Sequence, residues 1–457
     1  MSSWKQVRFS EICDITRGGS PRPIQEYMTN DGVPWIKISD ATASNSRFIE
    51  KTKEFIKTSG ISKSREVFPD DLILSNSATP GIPKFMRIYA CIHDGWLLLR
   101  NFNGAEKEFI YWLLLNERDK LIQQGNGSVF TNLKTDILKN HIVNIPDDIE
   151  EQKRIATILN NIQEKIELNT QINQTLEQIA QTIFKSWFID FDPVHAKANA
   201  LASGQTLEQA TQAAMAVISG KNTQELHRLQ TANPEQYQQL WEIAEAFPSG
   251  FDEKGVPRGW SIKYFKDITS LYIDNRGKTP PIEESGIPLL EVKHLPEHSI
   301  FPNLKTEKYI SDDIYDSWLR QKLEPLDIVI STVGTIGRIS LIPFNKKVAI
   351  AQNILGFRFK QNVTNQVFMF YQMKSHKFNF DVEARLVETV QKSIKRKDLE
   401  TIPLIIPDLK LQKFFEKMVL PTILKQDNEN ETLEKTRDEL LPKLLSGELN
   451  GLPEKTI

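Results

Sequence analysis

Cysteine is nearly absent from this chain of 457 residues, in which Cys13 and Cys91 are the only two. They have no metal-ligand spacing and imply no disulfide framework. Long apolar runs are also missing, since no stretch approaches the roughly 20 residues of a membrane span. The opening residues, MSSWKQVRF, lack the apolar core of a secretory signal. We therefore expect a protein of the cytoplasm.

Motifs for catalysis are missing as well. There is no Asn/Asp-Pro-Pro-Tyr/Phe run, which an amino-methyltransferase needs to hold a flipped adenine. No G-x-x-x-x-G-K-S/T phosphate loop occurs, and residues 334–337 (GTIG) lack the third glycine and the downstream acid of a dinucleotide fingerprint. The seven histidines have no zinc spacing. The sequence therefore predicts no catalytic residue, no metal site and no cofactor in this chain.

The chain also lacks an excess of charge of either sign, because its formal net charge is −2. That balance argues against a protein that coats nucleic acid by charge alone, but it allows sequence-specific binding through local basic patches. A hydrophobic content of 40% and a charged content of 25% are typical of a soluble globular protein. The length suggests two to four domains.

One long stretch, residues 150–189, contains neither glycine nor proline. Its apolar residues step by four and three, which is the heptad pattern of a helix that needs a partner helix. The seam consists of Ile155, Leu159, Ile162, Ile166, Leu176, Ile183 and Trp187. Asn169 and Asn173 lie on the same seam, where a polar residue usually sets register and partner choice. A single amphipathic helix on an ordinary core is the alternative interpretation.

The chain then repeats itself. Residues 69–75 (PDDLILS) return as residues 325–331 (PLDIVIS) at an offset of 256, and Trp4 returns as Trp260. Residues 173–177 (NQTLE) match residues 430–434 (NETLE) at an offset of 257. Six such matches occur in the same order at offsets of 254 to 261. The repeating unit is therefore a mixed α/β domain followed by a long helix.

The second long helix is the natural partner of the first, and together they predict a coiled coil within one chain. Pro421 is expected to break or kink the second helix, leaving residues 428–445 as its continuous part. The sequence leaves the direction of the pair open. An antiparallel pair would place the two domains at opposite ends, related by a pseudo-twofold axis.

Two similar domains at a fixed spacing suit duplex DNA, whose half-sites then have a fixed separation. Arginine reads guanine, asparagine and glutamine read adenine, and lysine and serine commonly hold phosphates. In the first domain the candidate DNA contacts are Arg17, Ser20, Arg22, Lys37, Ser39, Ser75, Asn76, Ser77, Thr79, Asn126, Ser128, Thr131, Asn132 and Lys134. In the second they are Arg276, Lys278, Thr279, Lys293, His294, Ser331, Thr332, Thr335, Arg338, Gln352, Asn353, Gln391, Lys392, Ser393, Lys395 and Arg396. For any single serine or asparagine, ordinary turn chemistry is the alternative, and for the basic run at residues 391–397 it is a solvated turn.

Three local signatures resemble the specificity subunit of type I restriction–modification enzymes. Residues 152–156 (QKRIA) open the long helix, and residues 184–193 (FKSWFIDFDP) are similar to the central region of that family. Residues 437–449 (RDELLPKLLSGEL) are similar to its C-terminal region. The resemblance covers nearly the whole chain and includes the repeat itself.

The resemblance implies a mixed α/β fold, with two target recognition domains separated by an antiparallel coiled coil that sets the gap between two half-sites. The implied parts are a first recognition domain (1–148), a central helix (149–190), a helical connector (191–258), a second recognition domain (259–408) and a C-terminal region with the second helix (409–457). The connector is longer and richer in alanine and glutamine than the family leads us to expect.

The resemblance also implies partners. These are double-stranded DNA, two methyltransferase subunits that use S-adenosylmethionine on adenine, and restriction subunits that use ATP and Mg²⁺. A protein-assembly scaffold built from a duplicated domain and helix is one alternative. A self-sufficient enzyme is another, and the missing motifs argue against it.

Overall fold

The computed structural model describes residues 3–42, 46–124, 132–275, 277–297, 299–386 and 392–449, without the side chains of 426–428. The chain divides into two compact units, of which the first is Met1–Thr170 with Asn430–Ile457 and the second is Gln171–Glu429. In the described residues, no helix combines the length and the apolar character needed to cross a membrane.

The first unit contains twelve short strands among its described residues. They are β1 (Trp4–Arg8), β2 (Asp14–Arg17), β3 (Met28–Thr29), β4 (Val33–Ile36), β5 (Phe48–Ile49), β6 (Phe55–Ile56), β7 (Arg65–Val67), β8 (Leu72–Ser75), β9 (Pro83–Met86), β10 (Ala90–Ile92), β11 (Trp96–Arg100) and β12 (Ile142–Pro146). Its helices are α1 (Phe9–Ile12), α2 (Ile38–Thr42), α3 (Lys107–Asn116), α4 (Arg118–Gln124), α5 (Thr135–Asn140) and the first part of α6 (Ile149–Phe188), with 3₁₀ turns at Ile24–Glu26 and Thr58–Lys63.

The strands form two five-stranded sheets, ordered β3-β6-β4-β10-β7 and β2-β11-β8-β9-β5, and a pair of antiparallel strands, β1 and β12. Strand β8 is buried along its whole length, which explains why residues 72–74 read as an uninterrupted apolar run. Helix α3 begins where the Glu106 carboxylate accepts a hydrogen bond from the Phe109 N–H at 2.7 Å.

The second unit begins with the connector, whose helices are α7 (Asp192–Ala202), α8 (Leu207–Ser219), α9 (Thr223–Ala232) and α10 (Pro234–Ala246). The sequence predicts a helical connector there, and the structure shows four short helices. Helices α8, α9 and α10 share a small apolar core of Ala214, Met215, Leu226 and Ala244. The buried Lys197 ammonium donates to the carbonyl of Phe247 at 2.7 Å, just beyond the end of α10.

The rest of the second unit repeats the first domain. Its strands are β13 (Ser261–Tyr264), β14 (Thr269–Ile273), β15 (Ile287–Leu290), β16 (Tyr309–Ile310), β17 (Ile328–Ser331), β18 (Ile339–Leu341), β19 (Ala349–Ile350), β20 (Ile354–Phe359) and β21 (Pro403–Ile406). Its helices are α11 (Phe265–Ile268), α12 (Asp312–Ser317), α13 (Gln366–Lys374), α14 (His376–Glu383), α15 (Arg396–Leu399) and the first part of α16 (Leu409–Leu445), with a 3₁₀ turn at Val292–His294.

The sheets show the same relationship. The order β14-β20-β17-β18 in the second unit matches β2-β11-β8-β9 in the first, and β13 pairs with β21 as β1 pairs with β12. The parallel pair β15–β19 likewise matches the parallel pair β4–β10. The predicted duplication of a mixed α/β domain is confirmed for these strands, although among the described residues the first domain has twelve strands and the second nine.

A buried glutamine anchors each domain to a long helix. In the first unit, Gln152 of α6 accepts a hydrogen bond from the Glu106 N–H at 2.7 Å and donates to the Pro146 carbonyl at 2.8 Å. In the second, Gln412 of α16 accepts from the Asn365 N–H at 3.1 Å and donates to the Pro407 carbonyl at 2.9 Å. Neither glutamine is exposed, so each amide satisfies backbone groups that water cannot reach.

The two long helices run antiparallel within the first unit. Arg437 of α16 donates to Gln163 of α6 at 2.6 Å, while Asn430 donates to Thr170 at 3.2 Å, so the contact moves backward along one helix as it moves forward along the other. In the second unit, the rings of Phe184 and Phe415 lie 5.4 Å apart. The predicted pairing of the two helices is confirmed.

The prediction that Pro421 breaks the second helix and limits its continuous part to residues 428–445 is wrong, because α16 is continuous over 37 residues, Leu409–Leu445. A proline inside a helix removes one hydrogen bond and costs about 3 kcal/mol. Val419 and Ile423, on either side of it, are buried in the apolar core of the second unit. Burial of each such side chain stabilises the helix by about 1.5–3 kcal/mol, which offsets the cost of the proline.

Other polar contacts attach each domain to α6. In the first unit, the Asn160 side-chain oxygen accepts from the Trp112 indole at 2.8 Å and from the buried Arg47 guanidinium at 2.5 Å. In the second unit, the buried Glu177 carboxylate accepts from the Tyr371 hydroxyl at 2.6 Å and from the Lys374 ammonium at 2.9 Å. Asn160 and Glu177 lie beside the predicted seam, and Asn169 on the seam itself is buried.

Candidate nucleic-acid interface

Two equivalent turns show how the repeat builds its polar surfaces. After β8, the Ser75 hydroxyl donates to the Thr79 carbonyl at 2.6 Å and accepts from the Ile82 N–H at 2.8 Å. After β17, the Ser331 hydroxyl donates to the Thr335 carbonyl at 2.5 Å and accepts from the Arg338 N–H at 2.9 Å.

Both serines are 0% exposed. In this conformation neither hydroxyl reaches the surface, so the expectation that Ser75 and Ser331 contact DNA needs correction. Each serine instead fixes the shape of a turn that presents its neighbours. Turn chemistry, the alternative for any single serine, explains both.

In the first domain, several predicted residues converge on Asp94, which the sequence interpretation missed. The Ser20 hydroxyl donates to Asp94 Oδ1 at 2.6 Å, and the Arg17 Nε donates to the Asp94 carbonyl at 2.8 Å. The guanidinium groups of Arg17 and Arg22 lie 3.8 and 3.7 Å from Asp94 Oδ2. The Asn76 amide donates to the Asp94 carbonyl at 3.3 Å. Four residues from two separate segments therefore meet at Asp94, three at its carboxylate and Asn76 at its backbone carbonyl.

The Asp94 side chain is 40% exposed. The hydrogen bond from Ser20 holds the pKa of its carboxyl below the usual range, although burial opposes that shift. The carboxylate is therefore charged at neutral pH. The neighbouring His93 is more buried, and burial lowers its pKa, so this imidazole is neutral at pH 7 and adds no positive charge to the surface.

The loop before α5 joins the same surface. The Leu133 N–H donates to the Asn76 carbonyl at 2.8 Å, and this bond holds the loop beside the turn after β8. Asn132 and Lys134, on either side of Leu133, are exposed. The structure therefore brings together Arg17, Ser20, Arg22, Asn76, Asn132 and Lys134, with Ser77 and Thr79 in the adjacent turn.

The second domain repeats this arrangement with different side chains. The Thr332 N–H donates to the Asn353 carbonyl at 2.8 Å, as the Asn76 N–H donates to the Gly95 carbonyl at 2.8 Å. The Ile394 N–H donates to the Thr332 carbonyl at 3.0 Å, which is the counterpart of the bond made by Leu133. The exposed members of the second surface are Lys278, Thr279, Thr335, Gln352, Asn353, Lys392 and Lys395, and Arg338 and Ser393 are partly buried beside them.

Lys134 and Lys395 hold equivalent places, each immediately before a short helix and each exposed. Arg396 differs, because its guanidinium lies 3.6 Å from the centre of the Tyr272 ring and its Nε donates to Glu400 at 2.8 Å. These contacts fix Arg396 against its own domain. Lys395 is therefore the better candidate for a contact with DNA.

The remaining candidates lie around the strands β4 and β15. Lys37 pairs with Glu54 at 2.6 Å, and Lys293 lies 3.6 Å from both Glu291 and Glu307. Ser39 is exposed.

His294 is only 5% exposed, and its Nδ1 accepts from the Glu291 N–H at 2.9 Å. Burial lowers the pKa of this imidazole. The prediction that His294 contacts DNA therefore needs correction, because the ring is enclosed and stabilises its own turn. Asn126, Ser128, Thr131, Arg276 and Gln391 lie outside the described residues.

The sequence contained a signal for the missed residue. Asp94 stands at the place in the first domain that Gln352 holds in the second, at an offset of 258, and Gln352 was among the predicted contacts. An acidic residue is easily passed over in a search for DNA contacts, because its charge repels phosphates.

The described residues contain no group of three or more His, Cys, Asp or Glu side chains suited to hold a metal ion. Two copies of one polar surface, each carried by its own α/β domain on a long helix, define a tandem recognition protein. The family model described as "Type I restriction modification DNA specificity domain" matches residues 1–178 and 303–435. The chain belongs to this family.

Named relatives extend over the full length. The chain is 29% identical over 478 residues to the type I restriction enzyme HindI specificity subunit of Haemophilus influenzae, covering 98% of this chain and 100% of that one. It is 24% identical over 461 residues to the MjaIX specificity subunit of Methanocaldococcus jannaschii, covering 98% and 93%. Among solved structures, the S subunit of a type I restriction–modification system from M. genitalium matches with a TM-score of 0.45 at 13% identity, over 97% of this chain and 96% of that one.

Proposed function

We propose that this chain is the DNA sequence-recognition subunit of a type I restriction–modification complex. Each α/β domain reads one half of a bipartite, asymmetric site. The observation that carries the proposal is the duplicated surface, in which the same backbone hydrogen bonds present different side chains. Asp94, flanked by two arginines in the first domain, is replaced by the amide Gln352 in the second. Two readers of equal shape and different chemistry suit two half-sites of different sequence.

On this proposal, the paired helices α6 and α16 fix the spacing of the two half-sites and dock two methyltransferase subunits. The buried contacts of Asn160 and Glu177 with their domains favour a fixed attachment of each domain to the helix. Restriction subunits complete the assembly and cleave DNA that lacks the methyl mark.

The chemistry belongs to the partners on this proposal. The methyltransferase subunits bring S-adenosylmethionine and methylate adenine, and the restriction subunits bring ATP and Mg²⁺. The missing adenine-gripping and phosphate-loop motifs support a chain that recognises DNA and leaves catalysis to others.

The decisive experiment is a map of methylated adenine in the host genome, with and without this gene. A bipartite motif is expected in the wild type, and it should vanish completely on deletion and return when the gene is supplied on a plasmid. A motif that persists in the deletion strain of an active system would overturn the proposal. Purified chain incubated alone with S-adenosylmethionine and DNA is the matching control and should transfer no methyl groups.

A further inference from the structure

We propose that Asp94 and Gln352 are specificity-determining residues, each of which reads one base in its own half-site. This inference rests on the proposed function and adds to it the identity of two readers. Asp94 takes a base that carries an exocyclic amino group, namely cytosine or adenine. Gln352 takes adenine.

The geometry of the first surface leaves one acceptor atom for a ligand. Asp94 Oδ1 already accepts the Ser20 hydroxyl at 2.6 Å. Asp94 Oδ2 lies 3.7 and 3.8 Å from two guanidinium groups, which is beyond hydrogen-bonding distance. In the described part of the chain, Oδ2 accepts no hydrogen bond, and the carboxylate is 40% exposed. A charged acceptor is therefore presented at the surface, and its second oxygen is ion-paired with two arginines but can still accept a hydrogen bond.

The flanking arginines explain how a carboxylate lies on a surface that meets DNA. A lone negative charge beside phosphates is repelled. Arg17 and Arg22 outnumber Asp94, so this part of the surface carries a net positive charge. A carboxylate only accepts hydrogen bonds, and in the major groove the cytosine N4 and adenine N6 amino groups are the donors on base edges. Guanine and thymine present acceptors at the same edge and are rejected.

The second surface holds an amide at the same place. Gln352 precedes Asn353, whose carbonyl accepts a hydrogen bond from the Thr332 N–H. In the same way, Asp94 precedes Gly95, whose carbonyl accepts from the Asn76 N–H. The Gln352 amide donates to the Thr279 hydroxyl at 3.4 Å, in the position of the Ser20–Asp94 hydrogen bond. An amide offers both a donor and an acceptor, which match N7 and N6 of adenine. One structural position therefore carries two different reading chemistries.

The test uses the assembled complex with its methyltransferase subunits and determines the methylated motif of each variant in vivo. Asp94→Asn adds a donor without changing size, so it is expected to relax or change one base of one half-site by roughly tenfold or more in preference. Gln352→Glu removes the donor, so it is expected to admit cytosine at one position of the other half-site. In both variants the remaining bases and the gap should stay as in the wild type.

Asp14→Asn is the matched control, because Asp14 lies at the other end of strand β2 and pairs with Asn101. It should leave the motif intact. A wild-type complex without any bipartite motif would overturn the proposed function itself. A wild-type motif that both Asp94→Asn and Gln352→Glu leave unchanged would overturn only this inference. Uniformly weaker binding of Asp94→Asn to all duplexes would also overturn it for Asp94, since that residue would then only hold the arginines.

Discussion

The buried glutamines that anchor each domain to its helix allow a quantitative test. Gln412 is 0% exposed. It accepts hydrogen bonds from the Asn365 N–H at 3.1 Å and the Thr364 hydroxyl at 2.9 Å. It donates to the carbonyls of Pro407 at 2.9 Å and Val363 at 3.2 Å. Gln412→Leu keeps a similar volume and leaves four polar groups without this partner.

The expected cost follows from those bonds. Each hydrogen bond contributes about 1 kcal/mol net, and a buried group left unpaired costs about 1–3 kcal/mol. Burial of the apolar leucine side chain offsets part of this cost. We expect Gln412→Leu to lower the free energy of unfolding of the second unit by about 3–4 kcal/mol. That is a large share of the roughly 5–15 kcal/mol by which native proteins are stable.

Because a chain of two units need not unfold in one step, the assay is hydrogen exchange followed by mass spectrometry, with urea titration beside it. Protection should fall in the peptides that cover residues 363–374 and 403–415. Gln152→Leu should produce the same loss in the first unit, around residues 104–116 and 142–156. Gln171→Leu, at an exposed position of α6, is the control and should change neither unit. A cost below about 1 kcal/mol for Gln412→Leu would refute the reasoning.

Three further predictions follow from single contacts. In the assembled complex, Lys395→Ala is expected to weaken binding to all duplexes by a similar factor and to reduce the slope of log Kobs against log salt by about 1; an unchanged slope would rule out a phosphate contact. Tyr371→Phe removes the 2.6 Å hydrogen bond to Glu177 and should cost about 1–2 kcal/mol in urea unfolding, whereas a loss within error would mean that the bond contributes nothing. The pKa of Asp94 is lower in the folded than in the unfolded state. Its ionised carboxylate therefore stabilises the fold above the unfolded-state pKa of about 4, and this stabilisation is lost as pH falls through the folded-state pKa. Ser20→Ala should therefore destabilise the protein at pH 7 and lose that effect in acid, and an equal cost at both pH values would contradict the assignment.

The helices and the repeat could be predicted because their signals are periodic or recur along the chain. Residues 150–189 carry an unbroken heptad pattern, and residues 69–75 recur at residues 325–331. Both patterns reflect burial, which constrains many residues at once. The continuity of α16 through Pro421 could not be predicted, because the burial that offsets the cost of a proline depends on contacts with distant segments.

The candidate site was predictable as a set of loops and less so residue by residue. Ser75 and Ser331 are residues of the type found in binding turns, but their hydroxyls point inward and bond to backbone carbonyls of their own turns. Asp94 was missed because its role depends on contacts with residues 17–22 and 76, which are distant in the sequence and come together only in the fold. Gln152 and Gln412 were missed because nothing in a helix sequence distinguishes a buried glutamine from an exposed one.

The first unit is discontinuous in sequence, and this has a consequence for biosynthesis. Residues 430–445 complete its core, where Leu444 and Leu445 are buried with Phe109 and Ile155. A ribosome makes the roughly 260 residues of the second unit before it reaches them, which takes about 10–50 s at typical elongation rates. During that interval the first unit lacks part of its apolar cover, while the second unit can already close. A chaperone that binds nascent chains would therefore find its substrate in the domain that was made first.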